Sequence, residues 1–287
     1  NTALGQGALL VNTTGANNVA VGTNALVANT TGNQNVAVGK LALAANTTAE
    51  NNVAVGYNAA GSNTTGTRNI AIGYGAYDSS DTESDNLAIG YQAMTINTAG
   101  GIYNVAVGNY SGDAITSGDA NTCIGMHAGT DITTGINNLM LGYQAGTSSS
   151  PAHTTNGTHR IVLGNSDITH AYVKVDWSVT SDERDKMNFA EVPHGLSFVN
   201  DLKPIKFDFK KSRDNETPHG KTKYGFKAQD ILALEGDNPI IIDNHNEDKL
   251  SVTNSHLIPV LVKSIQELSA KVEAQQNEKD ALKDAKI

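Results

Sequence analysis

Ser181-Asp182-Glu183-Arg184-Asp185-Lys186 sets a hydroxyl and an amine five residues apart in a short charged run. A serine hydroxyl becomes a nucleophile when a base takes its proton. A lysine serves as that base where burial or neighbouring cations lower its pKa. The pair is therefore a candidate for cutting a peptide bond, and the nearest bonds are its own. An N-to-O acyl shift would break Thr180–Ser181, and a cut one bond later would part Ser181 from Asp182. The competing expectation is a solvated loop with Ser181 capping a helix.

Other chemistry-bearing residues are weaker. Tyr57, Tyr74, Tyr91 and Tyr143 each follow a glycine. The spacing predicts the first three in one row, either a packing ladder, which is preferred, or a glycan-contact row. Asp78, Asp81, Glu83 and Asp85 could hold a hard cation, but a solvated loop is the expectation, so no metal is assigned. Cys123 stands where other repeats carry a small residue, and the eight histidines show no ligand-like spacing; His153 and His159 fall in a polar loop. The Asn-Thr-Thr triplets read as turns rather than as glycosylation or ice-binding features. So carboxylate-poor a region offers no acid pair for cleaving glycans, and no cofactor is expected.

The Ser–Lys run lies at a seam. Residues 1–180 hold 24 of the 28 glycines and only 14 charged residues; residues 181–287 hold 4 glycines and 35 charged residues. Net charge is −9, and neither part is basic, which disfavours nucleic acid or an anionic membrane as partner. No apolar run approaches a membrane span. One cysteine excludes an intrachain disulfide framework, and aromatics are only 5%. A chain that starts at Asn1 is expected to be an interior piece of a longer protein.

Upstream of the seam, glycines at 5, 22, 39, 56, 73 and 90 are 17 apart, and 108, 125, 142 and 164 continue the series. A fixed period of this size means stacked coils. An asparagine lies four residues before each of the first nine glycines, with a short apolar strand between, as in Asn35-Val36-Ala37-Val38-Gly39. Strand alternation sends Val36 and Val38 to one side and Ala37 to the other. The expected fold is an all-β solenoid or β-roll over 1–164, with asparagines stacked into ladders and a length on the order of 40 Å. Thin coils with an alanine face favour association of identical chains, most simply three around an axis.

Residues 165–181 read as a connecting β segment, because Tyr172–Val179 alternates strictly. From 182 to 287 the pattern is mixed. Strands are expected at Ile205–Phe209, Pro239–Asp243 and Leu250–Thr253, and a strand-to-helix passage at Tyr224–Ile231. A helix runs from Ser255, with Leu261, Ile265, Leu268 and Val272 at the spacing of a coiled-coil seam that weakens toward Ile287.

The repeat Asn-Val-Ala-Val-Gly-x-x-Ala resembles the head repeats of trimeric autotransporter adhesins and related repeats of phage tail fibres. Ser181-Asp182-x-Arg184-x-Lys186, Lys203-Pro204 and Gly225-Phe226-x-Ala228-Gln229-Asp230, followed by the terminal helix, resemble the C-terminal intramolecular chaperone and auto-processing domain of phage tailspikes. Endosialidase tailspikes carry it, and myelin regulatory factor carries a relative. The resemblance implies a Ser181–Lys186 dyad and a cut at Ser181–Asp182. It implies a homotrimeric fibre or spike of the virion, able to meet a host glycan or protein receptor. Its chaperone would be released in the host cytoplasm. A non-cleaving structural or adhesive trimer, from phage or a bacterial surface, is the alternative.

Overall fold

The computed structural model describes residues 1–97, 100–150, 152–153, 155–244 and 248–285. The chain divides into two compact units, Asn1–Ile168 and Thr169–Ile287. The first is a parallel β-solenoid. Its ten strands are β1 (Thr2–Leu4), β2 (Val19–Val21), β3 (Val36–Val38), β4 (Val53–Val55), β5 (Ile70–Ile72), β6 (Leu87–Ile89), β7 (Val105–Val107), β8 (Thr122–Ile124), β9 (Leu139–Leu141) and β10 (Ile161–Leu163). They pair in sequence order as one parallel sheet. The register is the repeat itself: Val19 faces Val36, Ala20 faces Ala37 and Val21 faces Val38.

From β2 to β10 each strand buries its middle residue, whereas Ala3 of the terminal strand β1 is exposed. Ala20, Ala37, Ala54, Ala71, Ala88 and Ala106 are fully buried, and Cys123 and Met140 continue the column. The flanking Val, Ile and Leu side chains point out, so the sheet's outer face is an unpartnered apolar surface. The glycine after each strand is required: a Cβ on Gly39 would strike the Gly56 carbonyl of the next coil, and its φ is +138°.

Six residues beyond the inward position, a second core position is left-handed: Leu26, Leu43, Ala60, Tyr77 and Met94 have φ near +50°. That conformation costs an L residue about 1–2 kcal/mol, whereas burying a leucine gains about 1.5–3 kcal/mol. Burial wins at Leu26 and Leu43; Ala60 lacks that offset. Where the inward residue grows, this position shrinks. Cys123 is matched by Gly129 and Met140 by Gly146, and a Cβ on either glycine would overlap the facing sulfur.

Buried polar groups are satisfied by stacking. Asn18 Oδ1 accepts the Asn35 backbone N–H at 2.9 Å, and Asn18 Nδ2 donates to the Gly32 carbonyl at 2.8 Å. The same two bonds recur at Asn52, whose Oδ1 accepts from Asn69 and whose Nδ2 donates to Gly66. A second column runs Asn12, Asn29, Asn46 and Asn63, the amides of the last three each donating to the asparagine one coil below. It breaks at Ser80. Asn63 Oδ1, Ser80 Oγ and Asn97 Oδ1 are buried with no partner among the described residues. After Asn97 the column turns apolar, with Ile115 and Ile132 fully buried.

The second unit is small and α+β. Helix α1 (Leu196–Asp201) precedes a hairpin of β11 (Ile205–Ser212) and β12 (Asn215–Gly225). Then come α2 (Ala228–Glu235), the short pair β13 (Ile242–Asp243) and β14 (Ser251–Val252), and α3 (Leu257–Asp284). Phe198, Ile231, Ile241, Ile242, Leu257 and Val260 form its core. Glu235 closes the loop after α2, its carboxylate accepting the backbone N–H groups of Ile240, Ile241 and Ile242.

Two expectations need correction. Tyr172–Val179 forms no strand: every residue of it is exposed and no ladder pairs with it. Alternation supplies two faces, but a strand also needs a partner edge, and the chain offers none there. The strand expected at Pro239–Asp243 is confined to Ile242–Asp243, because the ladder with β14 has only two rungs, Ile242 to Val252 and Asp243 to Ser251. Ile287, where the seam was expected to fade, lies outside the described residues.

Candidate self-processing site

The Ser181–Lys186 segment starts as extended chain and tightens into one 3-10 turn, Glu183–Asp185. Its cap is Asp182, not Ser181. The Asp182 side chain accepts the Arg184 backbone N–H at 2.9 Å and holds the Arg184 guanidinium with both oxygens. That hydrogen bond, more than any other influence, keeps the Asp182 carboxyl below its ordinary pKa. The turn brings the ends of the hexapeptide together: Lys186 Nζ donates to Ser181 Oγ at 2.6 Å. Both side chains are exposed, as is every residue from His170 to Glu191. Val192 is the first partly buried residue after the pair.

The remaining candidates resolve differently. Tyr57, Tyr74 and Tyr91 do form a row, with ring centroids 5.0 and 5.2 Å apart and planes within 17° of parallel. Tyr143 is not part of it. The row continues through Tyr110, which meets Tyr91 edge-on, to His127 stacked on Tyr110. The rings are 42, 50 and 40% exposed at Tyr57, Tyr74 and Tyr91. Sugar rings stack on open ring faces, whereas within this row the inner ring faces cover one another. Lys40 Nζ lies 5.8 Å from the Tyr57 centroid, over the end of the row.

The acidic stretch disperses. Asp85 binds Arg68 one coil away, while Glu83 is buried and accepts the N–H groups of Asp81, Thr82 and Gly100. Among the described residues no group of three or more His, Cys, Asp or Glu is placed to hold a metal ion. Burial pushes the Cys123 thiol up to about 12, so it packs and does not react. His153 pairs with Asp131 at 3.0 Å, a contact between coils that spacing did not suggest.

Among the described residues no helix is long and apolar enough to cross a membrane. Residues 181–237 match the family model described as chaperone of endosialidase. The match begins at the serine of the pair and ends just past α2. No curated protein and no solved structure matches the chain. A chaperone-of-endosialidase segment placed after a parallel β-solenoid fits a structural protein of the phage-fibre type.

Proposed function

We propose that the chain is a homotrimeric phage tail-fibre or spike protein of the virion whose residues 182–287 assemble the solenoid and are then cut free at Ser181–Asp182. The 2.6 Å contact between Lys186 Nζ and Ser181 Oγ carries this reading. In it Lys186 takes the hydroxyl proton and Ser181 is the activated group. The net step consumes one water: Ser181 ends as a carboxylate and Asp182 as a new amino terminus. Attack of Oγ on the Thr180 carbonyl, through a five-membered ring, is the competing route, and it would cut one residue earlier. Fragment masses separate the two.

Association supplies what the single chain lacks. A lysine works as base when covered or beside other cations, and in one chain both partners of the dyad face solvent. Two apolar surfaces support three-fold association: the outer Val, Ile and Leu columns of the solenoid, and the exposed Leu261, Ile265, Leu268 and Val272 of α3. Aligning three chains at one end first shortens the search for non-local pairing in the solenoid, and release afterwards leaves a product that unfolds slowly. Wild type, Ser181→Ala and Lys186→Ala compared on a denaturing gel test the cut: fragments are expected from wild type alone, and identical uncut bands in all three would sink it. The exposure of the dyad in one chain favours a second reading, a trimer that folds through the same unit and keeps it. Intact chains in mature particles would support that reading.

A further inference from the structure

Helix α3 has two unlike faces. Leu257, Val260 and Ser264 are buried against the unit's own core, whereas the seam residues are exposed. Lys263 and Glu267, one turn apart, lie away from the seam and reach back 71 residues. Lys263 Nζ donates to the Val192 carbonyl at 2.6 Å, and Glu267 Oε2 accepts the Leu196 N–H at 2.7 Å. Gly195, between these points, lies so close to the Glu267 carboxylate that a Cβ would collide with it. The carboxylate also caps α1, whose N-cap glycine has no side chain to do so.

The position of this clamp matters because of what precedes it. From His170 to Glu191 nothing is buried, and the dyad lies inside that stretch. The clamp begins at the first anchored residue after the dyad, six residues beyond Lys186, a reach of at most about 21 Å.

We infer that Lys263 and Glu267 are positioning residues for self-cleavage: they fasten segment 192–196 to α3, so that helix alignment is transmitted to the segment carrying Ser181 and Lys186. This rests on the self-cleavage reading above. Because the seam and the clamp use different sides of α3, loss of the clamp leaves association intact and slows the cut.

The test uses the full chain. Glu267→Ala, Lys263→Met and Gly195→Ala are compared with wild type and Ser181→Ala by time-resolved denaturing gels. Native mass spectrometry reports stoichiometry, and hydrogen exchange follows segment 187–196. The three clamp variants are expected to remain trimeric and to cut about ten- to a hundred-fold more slowly. Glu267→Gln keeps an acceptor oxygen and is expected to recover most of the rate. Exchange of 187–196 is expected to be faster in Glu267→Ala than in wild type. Clamp variants that cut at the wild-type rate would overturn the inference while leaving the dyad standing. Variants that lose the trimer together with the cut would overturn it as well, showing a folding contact instead. A wild type that never cuts removes the self-cleavage reading and this inference with it, and the exchange data then decide separately whether the clamp holds the segment.

Discussion

The two units solve opposite problems. In the solenoid the coils from β2 on bury their inward residues between neighbouring coils, and asparagine columns satisfy most of the polar interior, one of them broken at Ser80. What it leaves exposed is the apolar outer face of the sheet. The second unit buries few side chains, holds itself together by a small number of long-range polar contacts, and leaves most of a 28-residue helix uncovered. The first unit is locally complete and repetitive; the second is locally sparse and specific. A repetitive structure gains from a partner that fixes where it starts, and in the proposed trimer the exposed seam of the second unit would provide that.

The comparison can be broken most directly at the seam. Leu261→Asp with Ile265→Asp should abolish association, since each buried aliphatic side chain contributes about 1.5–3 kcal/mol and the replacement charges oppose contact. Native mass spectrometry should then show single chains and aggregates, while α3 stays helical by circular dichroism. Next in size is Gly129→Ala, which forces a methyl against the Cys123 sulfur at a left-handed position; a loss of about 1–3 kcal/mol is expected, read as a lower melting temperature of the solenoid. Gly129→Ala with Cys123→Ala should recover part of it. Asn52→Ala removes both ladder bonds and strands the buried Asn69 N–H, for about 1–3 kcal/mol, again in thermal melting.

Smaller effects sharpen the contrast. Tyr77→Leu with Ser80→Asn copies the lower coils, where Leu43 and Asn46 stand, and should stabilise by about 1 kcal/mol by restoring the broken column. The smallest effect is electrostatic. The Arg68 hydrogen bond holds the Asp85 carboxyl below its ordinary pKa. Its stabilisation is therefore present above the unfolded carboxylate range and is lost as pH falls through the folded value. Melting of Arg68→Ala and wild type should differ slightly at neutral pH and converge in acid.

Much of the solenoid was legible because the chain repeats one coil: the strand and its glycine recur ten times, the asparagine nine times and the inward alanine seven times, each in a fixed place. The left-handed Leu26 and Leu43 were not, since a large residue at positive φ runs against local preference and only core burial explains it. Tyr110 and His127 escaped because they stand two residues after their glycines, whereas the other rings stand one after. In the second unit, α1 is too short to show a period, and β12 contains Pro218 and Gly220 with no apolar alternation. The Ser–Lys contact was legible from residue type and a five-residue spacing. The clamp was not, because no local pattern announces a bond across 71 residues.

The broken column at Ser80 has a consequence for error. Identical rungs carry no address: a chain that looped out one coil and paired β3 with β5 would still match alanine to alanine and asparagine to asparagine. The coil that carries Tyr77, Ser80 and Glu83 is different, because Glu83 stands where neighbouring coils place Gly66 and Gly101. Displaced by one rung, its carboxylate would keep the N–H groups of Asp81 and Thr82 in its own turn but lose that of Gly100 in the next coil. One imperfect coil thus costs some stability locally and acts as a counting mark, distinguishing the right stack from its near copies.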